Sequence, residues 1–168
     1  RVILPGLVNA HAHLELSWMR RQVHPAPSMP EWVERLMALR RASGPDAPEP
    51  IVEAILEMRA SGTAAVGDIT NSLAAWDALA DSPLSAVVFL ELLGFNAPEP
   101  HKLVSDAAAR LRDLTPLEWL RPAIVPHAPY SVSPALLREI APRPHDRPIS
   151  VHVGEPSEER LRQDRRDR

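Results

Sequence analysis

The sequence predicts an α/β fold on a parallel sheet, organised as a partial (β/α)8 TIM barrel of about the first five β-α units. Three observations point there. Near-continuous apolar runs alternate with stretches of helical period, the pattern of strands buried on both faces. Several of these runs end on polar groups able to do chemistry: His11-Ala12-His13, Gly67-Asp68, His127 and His152. A (β/α)8 barrel takes ~250 residues, roughly 31 per unit. The 168 residues here then make just over five units.

In chain order, 8–11 reads as a short strand leading into His-Ala-His. Pro30 and Glu31 open a helix with Trp32, Leu36 and Leu39 on one face; Arg40 and Arg41 close its last turn and Gly44-Pro45 stops it. After a proline-rich loop, 51–60 is a second helix, with Ile51, Ile55 and Met58 apolar, ending at Gly62. A strand at 63–69 precedes a helix at 72–80 that Ser72 would cap. The strand at 85–92 (Ser-Ala-Val-Val-Phe-Leu-Glu-Leu) precedes a helix at 99–114. A strand at 121–126 leads into His-Ala-Pro-Tyr, and 134–140 is a short helix with Ser133 as its cap. A fifth strand is expected at 149–153, with a charged helix from 157 onward.

Composition removes several classes of function. A net charge of −3 with 24% charged residues is no footprint for nucleic acid. No apolar run reaches the ~20 residues of a membrane span, and residues 1–6 have no signal-peptide pattern. The absence of cysteine excludes disulfides, thiolate catalysis and Cys-ligated zinc. It fits a reducing cytoplasm, the expected location. There is no phosphate loop, no His-Glu-x-x-His and no Gly-x-Ser-x-Gly elbow.

His11 and His13, spaced i, i+2, share one side of a strand and would face a barrel mouth together. Two neutral imidazoles suit a borderline divalent metal. His152 ends another strand, and a third imidazole there would complete a catalytic ligand set with a position left for water. Glu155, three residues later, could shuttle a proton. Taken alone, His152 and Glu155 also read as a core histidine and a helix-start glutamate; beside His11 and His13 the metal reading prevails. His127, between Pro126 and Pro129, is either a rim group for substrate or part of a rigid turn. Glu15, two residues past His13, is expected to continue the same face and touch substrate. Asp68 reads as a loop cap or outer-sphere group rather than a ligand, and Glu91 as an inward-facing rim group. His24, His101 and His145 sit beside prolines or at helix starts and read as surface residues.

These residues lie in familiar company. The run from Leu4 to Glu15 (Leu-Pro-Gly-Leu-Val-Asn-Ala-His-Ala-His-Leu-Glu) resembles the opening barrel motif of the amidohydrolase superfamily. Pro126-His127-Ala128-Pro129-Tyr130-Ser131 and Val151-His152-Val153-Gly154-Glu155 are similar to later motifs of its aminohydrolase branch. That branch holds cytosine and guanine deaminases, triazine chlorohydrolases, and methylthioadenosine/S-adenosylhomocysteine and aminofutalosine deaminases.

The resemblance implies one Zn²⁺ or Fe²⁺, with zinc favoured, held by His11, His13, His152 and a later aspartate. It implies a hydrolytic deaminase acting on carbon–nitrogen bonds other than peptide bonds, in which the metal activates a water against the carbon bearing the amine. Glu155 matches the family's proton-transferring glutamate, and His127 a substrate-binding position. Glu15 resembles the acidic neighbour of cytosine- and aminofutalosine-type members, whereas Pro-His-Ala-Pro-Tyr-Ser points to nucleoside deaminases. An amino-substituted purine nucleoside or related heterocycle is the expected partner, with neither nucleic acid nor membrane, and the resemblance admits a homo-oligomer of the full-length protein. Residues 1–168 are expected to be an incomplete barrel domain without the family's N-terminal β-sandwich and strands six to eight, inactive on its own. An amide- or chloride-releasing hydrolase and a non-catalytic truncated paralogue are the competing expectations.

Overall fold

The computed structural model describes residues 2–42, 48–142 and 148–154. A four-stranded sheet in the order β1-β2-β3-β4 runs through it, with every neighbouring pair parallel. The strands are β1 (Leu7–Ala12), β2 (Thr63–Thr70), β3 (Ser85–Leu92) and β4 (Leu120–Pro126). The helices are α1 (Met29–Ala42), α2 (Glu49–Ala60), α3 (Trp76–Ala80), α4 (Pro100–Arg112) and α5 (Pro134–Ile140), and a 3₁₀ helix occupies Leu14–Met19. A strand followed by a helix, four parallel strands deep, is the α/β architecture the apolar rhythm predicts.

Period-2 alternation divides the sheet into two faces. Val66, Ala86 and Val88 pack with Ile51, Ile55, Trp76 and Leu79 of α2 and α3. Leu90 and Leu92 pack with Val104, Ala107, Leu136 and Ile140 of α4 and α5. The intervening residues turn to the opposite face, where Ile69, Phe89 and Val125 form a smaller cluster with Val87 and Ala123. That second face is open. Val8, Ala10, Val87, Phe89 and Trp119 line a cavity of about 520 Å³ there, with Val8 70% exposed.

Local signals explain the helix starts. Ser133 accepts the Leu136 N–H at 3.1 Å, and Pro134 follows at the first helical position. Ser28 and Glu31 bond each other at the start of α1, a capping box one residue ahead of the expected Pro30.

Two expectations need correction. Helix α3 begins at Trp76 rather than at residue 72, because the Ser72 hydroxyl is drawn to Glu15 and Ala75 stands at the cap without a side-chain bond. Residues 149–153 form no fifth strand among the described residues. The His152 N–H donates to the His127 carbonyl at 2.8 Å, but a strand requires repeated ladder pairing. Alternation nonetheless survives there, with Val151 and Val153 exposed and His152 half-buried between them. Glu155 and the charged stretch from 157 onward, like His145, lie outside the described residues.

Candidate metal centre

The C-terminal ends of the strands converge on the open face. Ala12 pairs with Asp68, on the helix-facing row, so His11 and His13 on either side of Ala12 turn to the open face. A bulge makes this so. Asn9 pairs with Val66 and Ala12 with Asp68, so β1 advances three residues where β2 advances two. The extra residue reverses the parity, and His11 leaves the row that Asn9 occupies. Asn9 ties the irregularity down, its Oδ1 accepting the His11 N–H at 3.2 Å.

Gly67 gives the bulge room. A Cβ at position 67 would drive into the Ala10 carbonyl oxygen and meet the Phe89 ring at 3.0 Å. Gly67→Ala is therefore expected to destabilise the protein by about 1–3 kcal/mol and to lower its metal content. Thermal unfolding and metal analysis of the full-length protein check both parts.

Four imidazoles gather where the strands end. His11 Nε2 lies 3.2 Å from His13 Nε2. The His152 ring sits 4.6 Å from that of His11 and 5.6 Å from that of His13, centroid to centroid. One ligand nitrogen from each of these three residues lies within 4.8 Å of the others. Two nitrogens bound tetrahedrally to zinc at ~2.05 Å stand about 3.3 Å apart, close to the His11–His13 separation. The donor set therefore fits a divalent metal. Burial first, and the neighbouring His11 second, press the His13 pKa below its ordinary value of 6.5; Glu91 and Glu15 pull the other way and His152 adds to the depression. A neutral imidazole keeps the lone pair that ligation requires.

His127 continues the pairing of β4 with β3, its N–H donating to the Leu92 carbonyl at 3.1 Å. Its ring lies 4.8 Å from that of His152, and its Nδ1 is 2.6 Å from Ser131 Oγ. Since Ser131 Oγ also approaches the Ala128 carbonyl at 3.2 Å, a hydroxyl proton donated there leaves Nδ1–H as the donor to Oγ. The two readings of this segment are thus compatible: the turn is rigid, and its histidine stands on the rim.

Glu15 does not continue the row of His11 and His13. The strand ends at Ala12 and residues 14–19 wind into the 3₁₀ helix, so the period-2 extrapolation stops before reaching it. The side chain is 4% exposed and turned against the loop after β2. Its Oε1 accepts from Arg40 at 2.8 Å. Its Oε2 accepts from Thr70 Oγ1 at 2.6 Å, from the Asn71 and Ser72 N–H groups at 3.1 and 2.9 Å, and from the Ser72 hydroxyl. Burial by itself would raise the pKa of this carboxyl, but the Ser72 and Thr70 bonds and Arg40 outweigh it, and the net shift is downward. The signal missed in the sequence was Thr70-Asn71-Ser72, a run of short donors beside a strand end.

Asp68 is fully buried on the helix-facing row, where its Oδ1 accepts the Leu14 N–H at 2.9 Å. It belongs to neither group of clustered metal donors. It is the loop cap expected of it, fixing the backbone directly after His13. Burial pushes its carboxyl up to about 7. Glu91, by contrast, does join the cluster: its donor atom and those of His127 and His152 lie within 4.8 Å of one another. His24 and His101 are exposed, as expected.

The amidohydrolase family profile matches residues 2–165. The chain belongs to the amidohydrolase family. Among curated relatives, an adenosine deaminase of Helicobacter pylori is 36% identical over 132 residues, covering 78% of this chain and 32% of the relative. Among solved structures, the Helicobacter pylori aminofutalosine deaminase in complex with methylthio-coformycin superposes with a TM-score of 0.77 at 32% identity, covering 89% of this chain and 37% of that one. Atrazine chlorohydrolase from Arthrobacter aurescens, complexed with zinc, gives a TM-score of 0.72 at 20% identity, covering 91% of this chain and 41% of that one; at that identity the likeness concerns the fold. This amidohydrolase chain spans about a third of the length of the curated relative just described. Its histidines thus gather at one end of the parallel sheet in a fold shared with that chlorohydrolase.

Proposed function

We propose that the full-length protein is a metal-dependent hydrolytic deaminase of an amino-substituted purine nucleoside or related heterocycle, acting in the cytoplasm. The observation that carries this reading is the convergence of His152 on His11 and His13 at the end of β1, beside the parallel sheet. The deaminase names of relatives above 30% identity support the reaction and the nucleoside class.

In this reading His11, His13 and His152 hold one divalent metal, and zinc suits three neutral imidazoles; Fe²⁺ is the second choice. Bound there, the metal supplies a water acidic enough to lose its proton near neutral pH. The chain's own groups do the rest. His127, fixed by Ser131 and the two flanking prolines, presents its ring to the substrate. Glu155 would take the proton that the attacking water loses and give it to the ring nitrogen beside the carbon bearing the amine, then take the proton released by the new hydroxyl group and pass it to the departing ammonia. Glu15 holds the loop after β2. The open apolar face resembles a barrel interior awaiting its remaining strands, which the full-length protein would supply.

The test is ammonia release from adenosine-type 6-aminopurine nucleosides by the full-length protein, before and after chelation and after adding back Zn²⁺. Activity that disappears with chelation and returns with zinc is the expected result. Chloride release from a chlorinated triazine without ammonia release would move the reaction to the chlorohydrolase class.

A further inference from the structure

Glu91 is the one carboxylate in its row of β3. Val87, Phe89 and Glu91 alternate with Ala86, Val88, Leu90 and Leu92, and so face the open side of β3. Glu91 is 7% exposed, and a carboxylate that dry needs a partner to offset its lost hydration. Its Oε1 lies 3.2 Å from His152 Nε2. Its backbone is anchored as well, since Asn71 Nδ2 donates to the Glu91 carbonyl at 3.0 Å. His152 lies outside the sheet, on a stretch whose backbone meets the end of β4 through the His152 N–H to His127 carbonyl bond. A metal ligand on such a stretch can turn about its side-chain torsions unless something outside the metal's own shell fixes the ring. A carboxylate beside one ring nitrogen does this: it selects the tautomer with the proton on that nitrogen, leaves the lone pair on the other, and raises the basicity of the ring.

We propose that Glu91 is the positioning residue for His152, its carboxylate beside the ring fixing the orientation in which the imidazole meets the metal. The proposal rests on the metal reading of His11, His13 and His152. It also assigns the second donor cluster, Glu91 with His127 and His152, as the support of the first rather than a second metal site. The rigid strand supplies what the His152 segment lacks: Glu91 pairs with Val125 in β4, in register with the residues just before His127.

The test uses Glu91→Ala, Glu91→Gln and His13→Ala in the full-length protein, with Zn²⁺ affinity measured by chelator competition without substrate. The visible spectrum of the Co²⁺-loaded protein is the second readout. Glu91→Ala is expected to weaken zinc binding about 10–100-fold, and Glu91→Gln, which keeps an oxygen acceptor but no charge, by less. The Co²⁺ bands should shift in both. Affinities within about 2-fold of the parent and superimposable spectra would overturn the role assigned to Glu91, as the outer-shell loss is tenfold or more. Loss of metal as complete as in His13→Ala would overturn it too, by making Glu91 a ligand. If Glu91→Ala fails to fold, the Glu91→Gln spectrum decides alone. A parent protein that binds no zinc, or a His13→Ala variant that binds it equally well, would instead refute the metal reading itself.

Discussion

Glu155→Gln in the full-length protein is expected to lower deaminase turnover by about 10²–10⁴-fold while leaving the metal content unchanged. Gln keeps the length and hydrogen-bonding shape of Glu but cannot take up and release a proton near neutral pH. The reaction needs a group that does both, because the ring nitrogen must gain a proton before the amine can leave and the amine must gain one to leave as ammonia. Glu155 follows Gly154, whose φ of 72° turns the chain directly after the His152 segment. A glutamate that merely started a helix would leave turnover within a few-fold when replaced by Gln. Steady-state ammonia release and metal analysis on one sample separate the outcomes; equal loss of metal and activity would make Glu155 a ligand or a structural residue.

The second large effect falls on stability. Glu15→Ala is expected to cost about 3 kcal/mol or more, because it strips the acceptor from several donors around a buried carboxylate. Thr70 Oγ1, the Ser72 hydroxyl, two backbone N–H groups and the Arg40 guanidinium all converge on it. The pH dependence follows from the downward shift of the Glu15 pKa. A carboxyl whose folded pKa lies below its unfolded value stabilises the fold fully above the unfolded value, near 4.5, and loses that contribution as the pH falls through the folded one. The parent protein should therefore lose stability on acidification below about 4.5, and Glu15→Gln should lose less over the same range. Denaturant unfolding of chelator-treated protein at neutral and acid pH measures both effects, with the histidines common to both proteins.

Glu15 also shows where sequence reasoning stops. The two histidines were legible because a strand has a fixed period, and period 2 around Ala12 brings them to one face. Extending that period to Glu15 failed because the chain leaves the strand at Ala12 and winds into a 3₁₀ helix. Nothing in Leu14-Glu15-Leu16 announces that change. The bulge before His11 was equally hidden: only the register against β2 shows that three residues face two. Gly67 carried a trace of it, as a glycine inside an apolar strand marks a bulge or a close backbone approach.

The strands β2, β3 and β4 were readable to within a residue because they are apolar on both faces. The stretch 149–153 has the same composition, but composition does not supply a neighbouring strand, and the paired ladder ends at β4. Helix α3 was overextended because Ser72 looks like a cap from its sequence neighbours alone. Its hydroxyl has a stronger acceptor in Glu15, 57 positions earlier in the chain. The helix-facing core was legible from spacing, and the long-range polar contacts were not. Glu91 belongs to the second kind: alternation turned it inward, but its nearness to His152 depends on the fold.

The claim on which the account stands is that His11, His13 and His152 hold one metal together. Elemental analysis of the full-length protein and its His13→Ala variant tests it directly. The account predicts close to one zinc or iron per chain in the parent and below about 0.1 in the variant, since losing one imidazole ligand removes most of the affinity of such a site. Circular dichroism should show the variant still folded. Equal metal content in the two proteins, or none in either after purification with zinc present, would contradict it.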